Sequence, residues 1–433
     1  MNNQKVNQEL FDFIGSCPTA YHTAAECERR LCAAGYTRLA EEKAFSVAPG
    51  GKYYVMRNGS SLLAFCVPSA PFSGYMIAAV HGDSPAFKLR GNPTLSDGAY
   101  LRLSTEKYGG MILSTWLDRP LSIAGRVTVR EEGGFLVKNV NFGEPCVIIP
   151  NVAIHMTRTA GADSALNPAV DLIPLVGTKN AEADFSLLLS RAAGAAPEDI
   201  LSSDLFVYNP ENGVSFGDLI AAPRLDDLQS VFGALAAFLT VKDPVAMPVF
   251  ALFDNEEVGS TTKQGAASTF LADTLQRVTD ALGEGESEYR RKLALSFMVS
   301  CDNAHAKHPN HPEYADKVDF PLLNGGIVIK QNANQRYVTD AVSEALFRQI
   351  CGAAGVPVQH YSNRPDIPGG STLGNIANTQ VSLNSVDVGL PQLAMHSAME
   401  TAGAADTAYL TAALSRFFGS SIRREGDSYR IDC

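Results

Sequence analysis

One stretch constrains this chain more than any other: Phe253-Asp254-Asn255-Glu256-Glu257-Val258-Gly259-Ser260. It follows Val249-Phe250-Ala251-Leu252-Phe253, a short branched and aromatic run behind Pro248 that predicts a buried strand. A strand ending this way delivers acidic side chains at its C-terminal edge, where ligands bind in open α/β sheets. Two adjacent glutamates cannot both stay buried and ionised unaided. The usual resolution is that a cation neutralises one while the other works as an acid or base. For an isolated Glu-Glu pair a solvated loop is the plainer reading, so the case turns on what else reaches the same edge.

Two other apolar runs end in the same manner. Tyr75 to Val80 leads into His81-Gly82-Asp83, an imidazole with a carboxylate two residues on, which has the makings of a metal ligand and its orienting partner. Leu293 to Cys301 leads into Asp302-Asn303-Ala304-His305. Pro223-Arg224-Leu225-Asp226-Asp227 introduces a predicted helix, Leu228 to Leu239, with both aspartates where an N-cap would stand. A last predicted strand, Val381 to Val388, precedes His396. Coincidence explains this set poorly. Two His (His81, His396), three Asp (Asp83, Asp226, Asp302) and two Glu (Glu256, Glu257) suit zinc, with Mn²⁺ or Co²⁺ as alternatives, and are too many for one ion but right for two sharing a bridge. Two metals plus an unligated Glu imply hydrolysis of an amide or peptide bond.

The rest of the chain frames this chemistry. Helices are expected over the first 35 residues, with His22 packed or capping, around Ala183 to Ala193, from Ala266 to Leu275 and from Thr339 to Ala353. Asn58-Gly59 predicts a hairpin. Between residues 88 and 221 short alternating stretches separated by turns predict a β-rich insertion holding Trp116, the only tryptophan, as core or interface. Residues 1–87 and 222–433 then form one discontinuous α/β domain. The net charge of −11, with no block of like charge, argues against nucleic acid as a partner. No apolar run reaches membrane-spanning length, and the start lacks a secretory pattern. Cys17, Cys27, Cys32, Cys66, Cys146, Cys301, Cys351 and Cys433 include no CxxC pair and read as reduced thiols, mostly buried, of a cytoplasmic protein.

The blocks HGDSP, YGGMILSTWLDRP, IPNVAIHM, PRLDDL, FDNEEVGS, CDNAHAKHPN, VIKQNANQRY, PGGSTLGNI and QLAMHSAMET resemble, in order, those of the aspartyl aminopeptidase family of co-catalytic zinc exopeptidases. The resemblance runs over nearly the whole chain. It implies an α/β/α sandwich catalytic domain with an inserted β-rich oligomerisation domain, two Zn²⁺ per subunit, and peptides with an acidic N-terminal residue as substrates. It further implies that His81, Asp226 and Asp302 hold one zinc and Asp226, Glu257 and His396 the other. Glu256 would be the general acid/base and Asp83 would orient His81. Substrate contacts are implied for His305, Lys330 and Tyr337, and for His155 reaching in from a neighbouring subunit of a homo-oligomer, a dodecamer in the family. The sequence departs from the pattern at Gly82, where a hydroxyl residue is common, and at Asp227, where Asn is commoner.

Overall fold

The computed structural model describes residues 3–96, 98–156, 166–179 and 184–432; Ala183 and Cys433 lie outside them. A nine-stranded sheet runs in the order Thr37–Leu39, Lys52–Arg57, Ser61–Cys66, Met247–Phe253, Tyr75–His81, Phe297–Cys301, Asn384–Gly389, Ile327–Gln331, Val358–Ser362. Its four central neighbours from Met247–Phe253 to Asn384–Gly389 are all parallel, and Phe253 pairs with His81. The three apolar runs that end in acidic or imidazole residues therefore lie side by side, with their C-terminal ends at one edge.

Burial on both faces explains why these strands read as unbroken apolar runs. Met76, Ala78 and Val80 point into one core with Phe250 and Leu252, covered by the helices Asn3–Ser16, Ala20–Ala33, Leu225–Phe238, Ala341–Ala354 and Asp406–Phe418. Tyr75, Ile77 and Ala79 point into the other with Val249 and Ala251, under Phe270–Ala281, Glu286–Ala294 and Leu373–Ala377. The result is an α/β/α sandwich. Truncating a ring as enclosed as Phe250 to alanine would cost about 3–5 kcal/mol.

A seven-stranded, mainly antiparallel sheet is inserted between Tyr75–His81 and Leu225–Phe238, in the order Ile200–Tyr208, Ala86–Ser96, Tyr100–Tyr108, Leu175–Thr178, Val147–Ile148, Pro120–Glu131, Gly134–Asn141. Trp116 sits in its core against Phe87, ring centroids 5.2 Å apart. Val214–Phe216 and Leu219–Ala222 join a five-stranded sheet with Glu400–Gly403, Pro391–Leu393 and Ala304–His305. That small sheet carries His305 and brackets His396.

Element edges shift where side-chain chemistry overrides the apolar pattern. Leu293 and Ala294 close the helix Glu286–Ala294, so the strand expected from Leu293 starts at Phe297. The helix expected at Ala266 to Leu275 spans Phe270–Ala281, because Ala266 to Ser268 turn back on Ser260 and Gly265. Asp340 caps Ala341–Ala354 with a reciprocal bond to Ser343. Asp226 and Asp227 do not cap a helix: both depart from helical dihedrals, the peptide between them is cis, and left-handed Arg224 stands at the N-cap. His22 is packed, its Nδ1 2.8 Å from the Thr19 hydroxyl. Five of the eight cysteines are free and buried, Cys32 is exposed and Cys146 half-buried.

Candidate metal centre

Three parallel strands at about 4.8 Å spacing deliver residues at or just beyond their C-terminal ends to one edge of the sheet. His81 ends Tyr75–His81, Asp302 follows Phe297–Cys301, and Glu256 and Glu257 form a 3-10 turn after Met247–Phe253. Asp226 enters from the crossover opposite them. His396 is held in the left-handed region, φ 66°, between the last sheet strand and Glu400–Gly403. Asn255 and Ser260, either side of the glutamate pair, are left-handed too. Non-glycine strain of this kind gathers at functional sites.

The predicted ligands assemble as two groups, and a third brings Glu256 within 4.8 Å of His81 and Glu257. One atom each from His81, Asp226 and Asp302 lie within 4.8 Å of one another, and so do one each from Asp226, Glu257 and His396. Asp226 belongs to both: its Oδ1 is 3.4 Å from His81 Nε2 and its Oδ2 is 3.3 Å from His396 Nε2. Glu257 Oε2 is 3.3 Å from the same His396 nitrogen. Glu257 Oε1 and Asp226 Oδ1 are buried without a hydrogen bond among the described residues. Buried carboxylate oxygens left in this way are costly unless a cation meets them, so the donor set fits metal ions. Imidazole and carboxylate together suit zinc.

The surrounding groups fix these atoms. His81 Nδ1 lies 3.0 Å from the Asp83 carbonyl and 3.4 Å from its carboxylate, which turns Nε2 toward Asp226. The Asp83 carboxylate also accepts the backbone N–H groups of Glu256 and Glu257 at 3.2 Å each and the Tyr108 hydroxyl at 2.7 Å. Asp83 thus orients the glutamate turn as well as the imidazole. Burial, with Asp302 foremost among the nearby carboxylates, pushes the Glu256 carboxyl up to about 8 against the opposing influence of His81. Burial raises Asp226 too, but His396 and His81 beside it hold its carboxyl well below the usual range.

Asp227 joins neither group. Its Oδ2 accepts the backbone N–H of His81 at 3.3 Å, and burial together with Asp302 and Asp226 pushes its carboxyl up despite His81. A side chain at Gly82 would be crowded, since an added Cβ would stand 3.1 Å from both Thr23 and Leu252.

Beside the cluster a pocket is lined by Lys330, Tyr337, His305, Glu256, Asp302 and His396, among others. Lys330 is 4% exposed; its ammonium donates to the Asn303 carbonyl at 2.9 Å and lies 3.5 Å from Asp302. Burial disfavours that charge, yet Asp302 keeps Lys330 above its ordinary range. The Tyr337 ring is 5.6 Å from the same ammonium. His155 does not reach this pocket within one chain. It sits on the exposed turn Ile154–Met156 of the inserted sheet's domain.

Sequence reasoning misses three contributors. Buried Glu400 accepts the backbone N–H of Asp226 at 3.0 Å and of His396 at 2.7 Å, clamping two predicted ligands at once. Tyr108 ties the inserted sheet to Asp83. Gly109, at φ 77°, comes so close that a Cβ there would stand 3.1 Å from that of Glu257. A charged residue four positions past His396, in an otherwise small and apolar context, is the available signal for Glu400. The glycine pair after Tyr108 is the one for the close approach.

Comparison with known proteins identifies the family and the fold. The Aminopeptidase I zinc metalloprotease (M18) family profile matches residues 13–418. A probable M18 family aminopeptidase 2 of Clostridium acetobutylicum is 40% identical over 429 residues, 96% of this chain and 99% of the relative. Among solved structures, the Ape4 and Nbr1 complex superposes at a TM-score of 0.92 with 34% identity, covering 96% of this chain and 86% of that one. The mApe1 dodecamer of S. cerevisiae does so at 0.84 with 26% identity, covering 96% and 97%. With a matching profile over most of its length and the metal-compatible cluster at its sheet edge, the chain belongs to the M18 family of zinc metallo-aminopeptidases.

Proposed function

We propose that this aminopeptidase removes N-terminal Asp or Glu from peptides at a two-metal centre. The observation that carries the proposal is Asp226 shared between two ligand groups, with the buried ammonium of Lys330 lining the same pocket. His81, Asp226 and Asp302 would hold one zinc, and Asp226, Glu257 and His396 the other, with Mn²⁺ or Co²⁺ as alternative occupants. When bound, the pair supplies Lewis-acid polarisation of the scissile carbonyl and a more acidic attacking water. With cations offsetting Asp302 and the carboxylates around it, Glu256 would be ionised, and its carboxylate would accept a proton from the attacking water and return it to the leaving amine. Asp83 keeps His81 and the glutamate turn in register. Lys330 receives the acidic side chain, with Tyr337 and His305 closing around it, and neutral or basic side chains leave that charge unmatched.

His155 acts in this reading from a neighbouring copy. Its exposed turn and the similarity to a dodecameric assembly support a homo-oligomer, with a dodecamer as the closed form. The reduced thiols support a cytoplasmic setting, and no helix among the described residues is long and apolar enough to cross a membrane.

A second reading draws on one contact. Asp302 engages part of the Lys330 charge at 3.5 Å, which would leave the pocket suited to neutral N-terminal residues or N-acyl amides. A panel of peptides starting with Asp, Glu, Leu, Lys and acetyl-Asp separates the two. Cleavage of free acidic starts only, lost in Glu256→Gln and broadened in Lys330→Ala, supports the proposal. Cleavage of Leu peptides by the native enzyme overturns the specificity, and release of acetate from acetyl-Asp moves the protein to amidohydrolysis.

A further inference from the structure

We infer that a groove leading out of the catalytic pocket binds the leaving side of an extended peptide, so that the enzyme selects substrates by length as well as by first residue. The inference rests on the aminopeptidase reading above. An exopeptidase site must be blind where the first residue and its side chain lodge and open where the chain continues. The 180 Å³ catalytic pocket is blind on the side of Lys330, Tyr337 and Asn303, each at most 5% exposed. On the other side it shares His305, Tyr361 and Gly370 with a second cavity of 350 Å³. That cavity in turn shares Lys307, Ala315 and Asp316 with a third, of 670 Å³, at the surface. The shared lining residues set the three cavities next to one another between the metal cluster and the surface, and the second alone is as large as an ordinary small-ligand site.

The groove walls are built rather than loose. The outer wall, residues 306 to 322, is tied down at both ends. Ala306 N–H donates to the Gln392 carbonyl at 2.9 Å, Lys307 N–H to Pro321 at 2.9 Å, and Leu322 N–H to the Gln359 side chain at 2.8 Å. Between these ties Asp319 accepts the Ser362 hydroxyl, and Arg364 donates to the Glu313 carbonyl. The lining mixes apolar and polar chemistry as a peptide needs. Tyr361, Phe320, Ile367 and Leu393 offer apolar surface for its second and third side chains. Lys307, whose ammonium lies 3.8 Å from the centre of the Phe320 ring, places a donor where backbone carbonyls pass. Tyr314, 65% exposed, lines the second cavity.

Binding energy gained away from the scissile bond is available to the transition state only if the substrate is long enough to collect it. The experiment compares kcat/KM for Asp-Ala amide and the pentapeptide amide Asp-Ala-Ala-Ala-Ala, both with the same scissile bond, and for the matching Leu-starting pair. The expected result is a long-to-short ratio of about tenfold in the native enzyme, falling toward one in Tyr314→Ala, which removes wall, and in Ala315→Trp, which fills the passage. Equal rates at both lengths in the native enzyme, or a ratio untouched by both variants, would overturn the groove. The Leu pair separates this from the specificity question: if only Leu peptides are cut, the acidic preference has failed while their length ratio still decides the groove. Silence on all four peptides overturns both.

Discussion

In the nine-stranded sheet both faces are covered by helices, and every predicted metal-binding side chain is delivered by the same chain at one edge. The inserted seven-stranded sheet is built differently. Its edge strand Gly134–Asn141 leaves Phe135, Leu136 and Val137 exposed, and Val152, Ile154 and Met156 stand out around His155. Exposed apolar runs on an edge strand are what soluble proteins ordinarily blunt. The first region gathers its whole predicted metal-ligand set within one copy, and the second exposes apolar surface around a residue proposed to serve another copy. They meet at Tyr108-Gly109-Gly110, where the inserted sheet touches Asp83, Glu257 and His396.

The strongest test of the first region's self-sufficiency is Asp226→Asn. Because Asp226 faces both imidazoles, the substitution should remove both ions, abolish hydrolysis and lower the melting temperature to that of the chelator-treated native protein. Metal content by mass spectrometry and a thermal scan would check it; one ion retained at full strength would show that Asp226 is not shared. Glu256→Gln comes next, with a loss of about 10²–10⁴ in kcat and metal content unchanged. A drop in bound metal there would make Glu256 a ligand instead of the proton carrier.

Glu256 is legible in the amino-acid sequence as a candidate because buried parallel strands announce themselves as unbroken apolar runs, and His81, Glu256 and Asp302 stand at or just past the C-terminal ends of three of them. Asp226 follows no such strand: an acidic pair ahead of an apolar helix also reads as a cap, and the family resemblance is what singles it out. Glu400 is not legible in this way: it matters through two backbone N–H groups, one of them 174 positions away, and nothing local marks which N–H groups a carboxylate will meet. The contact between Lys330 and Asp302 is of the same kind. The family resemblance implies Lys330 as a substrate contact, but only the folded chain reveals that a predicted metal ligand competes for its charge.

His155→Ala probes the second region. If another copy supplies this residue, the variant should lose about tenfold in kcat/KM while keeping its metals, an effect of the size that one well-placed polar contact carries. The decisive form is a mixture. Subunits carrying His155→Ala retain Glu256, and subunits carrying Glu256→Gln retain His155, so co-assembly should raise the activity per His155→Ala subunit above the residual rate of that variant alone. No recovery in verified mixed assemblies would return His155 to a surface role.

The smallest effect is expected at Val137, 50% exposed on the edge strand. A lysine there touches no core residue, so the unfolding free energy of a dilute, dissociated sample should change by less than about 0.5 kcal/mol. If the strand is covered by a second copy, the same substitution places a charge in an apolar contact and should shift the assembly toward smaller species at micromolar concentration. Sedimentation of the native and Val137→Lys proteins, alongside thermal unfolding, reads both quantities. An unchanged mass would mean that this edge is exposed in solution as well, and the oligomer must then be held through other surfaces, the turn carrying His155 first among them.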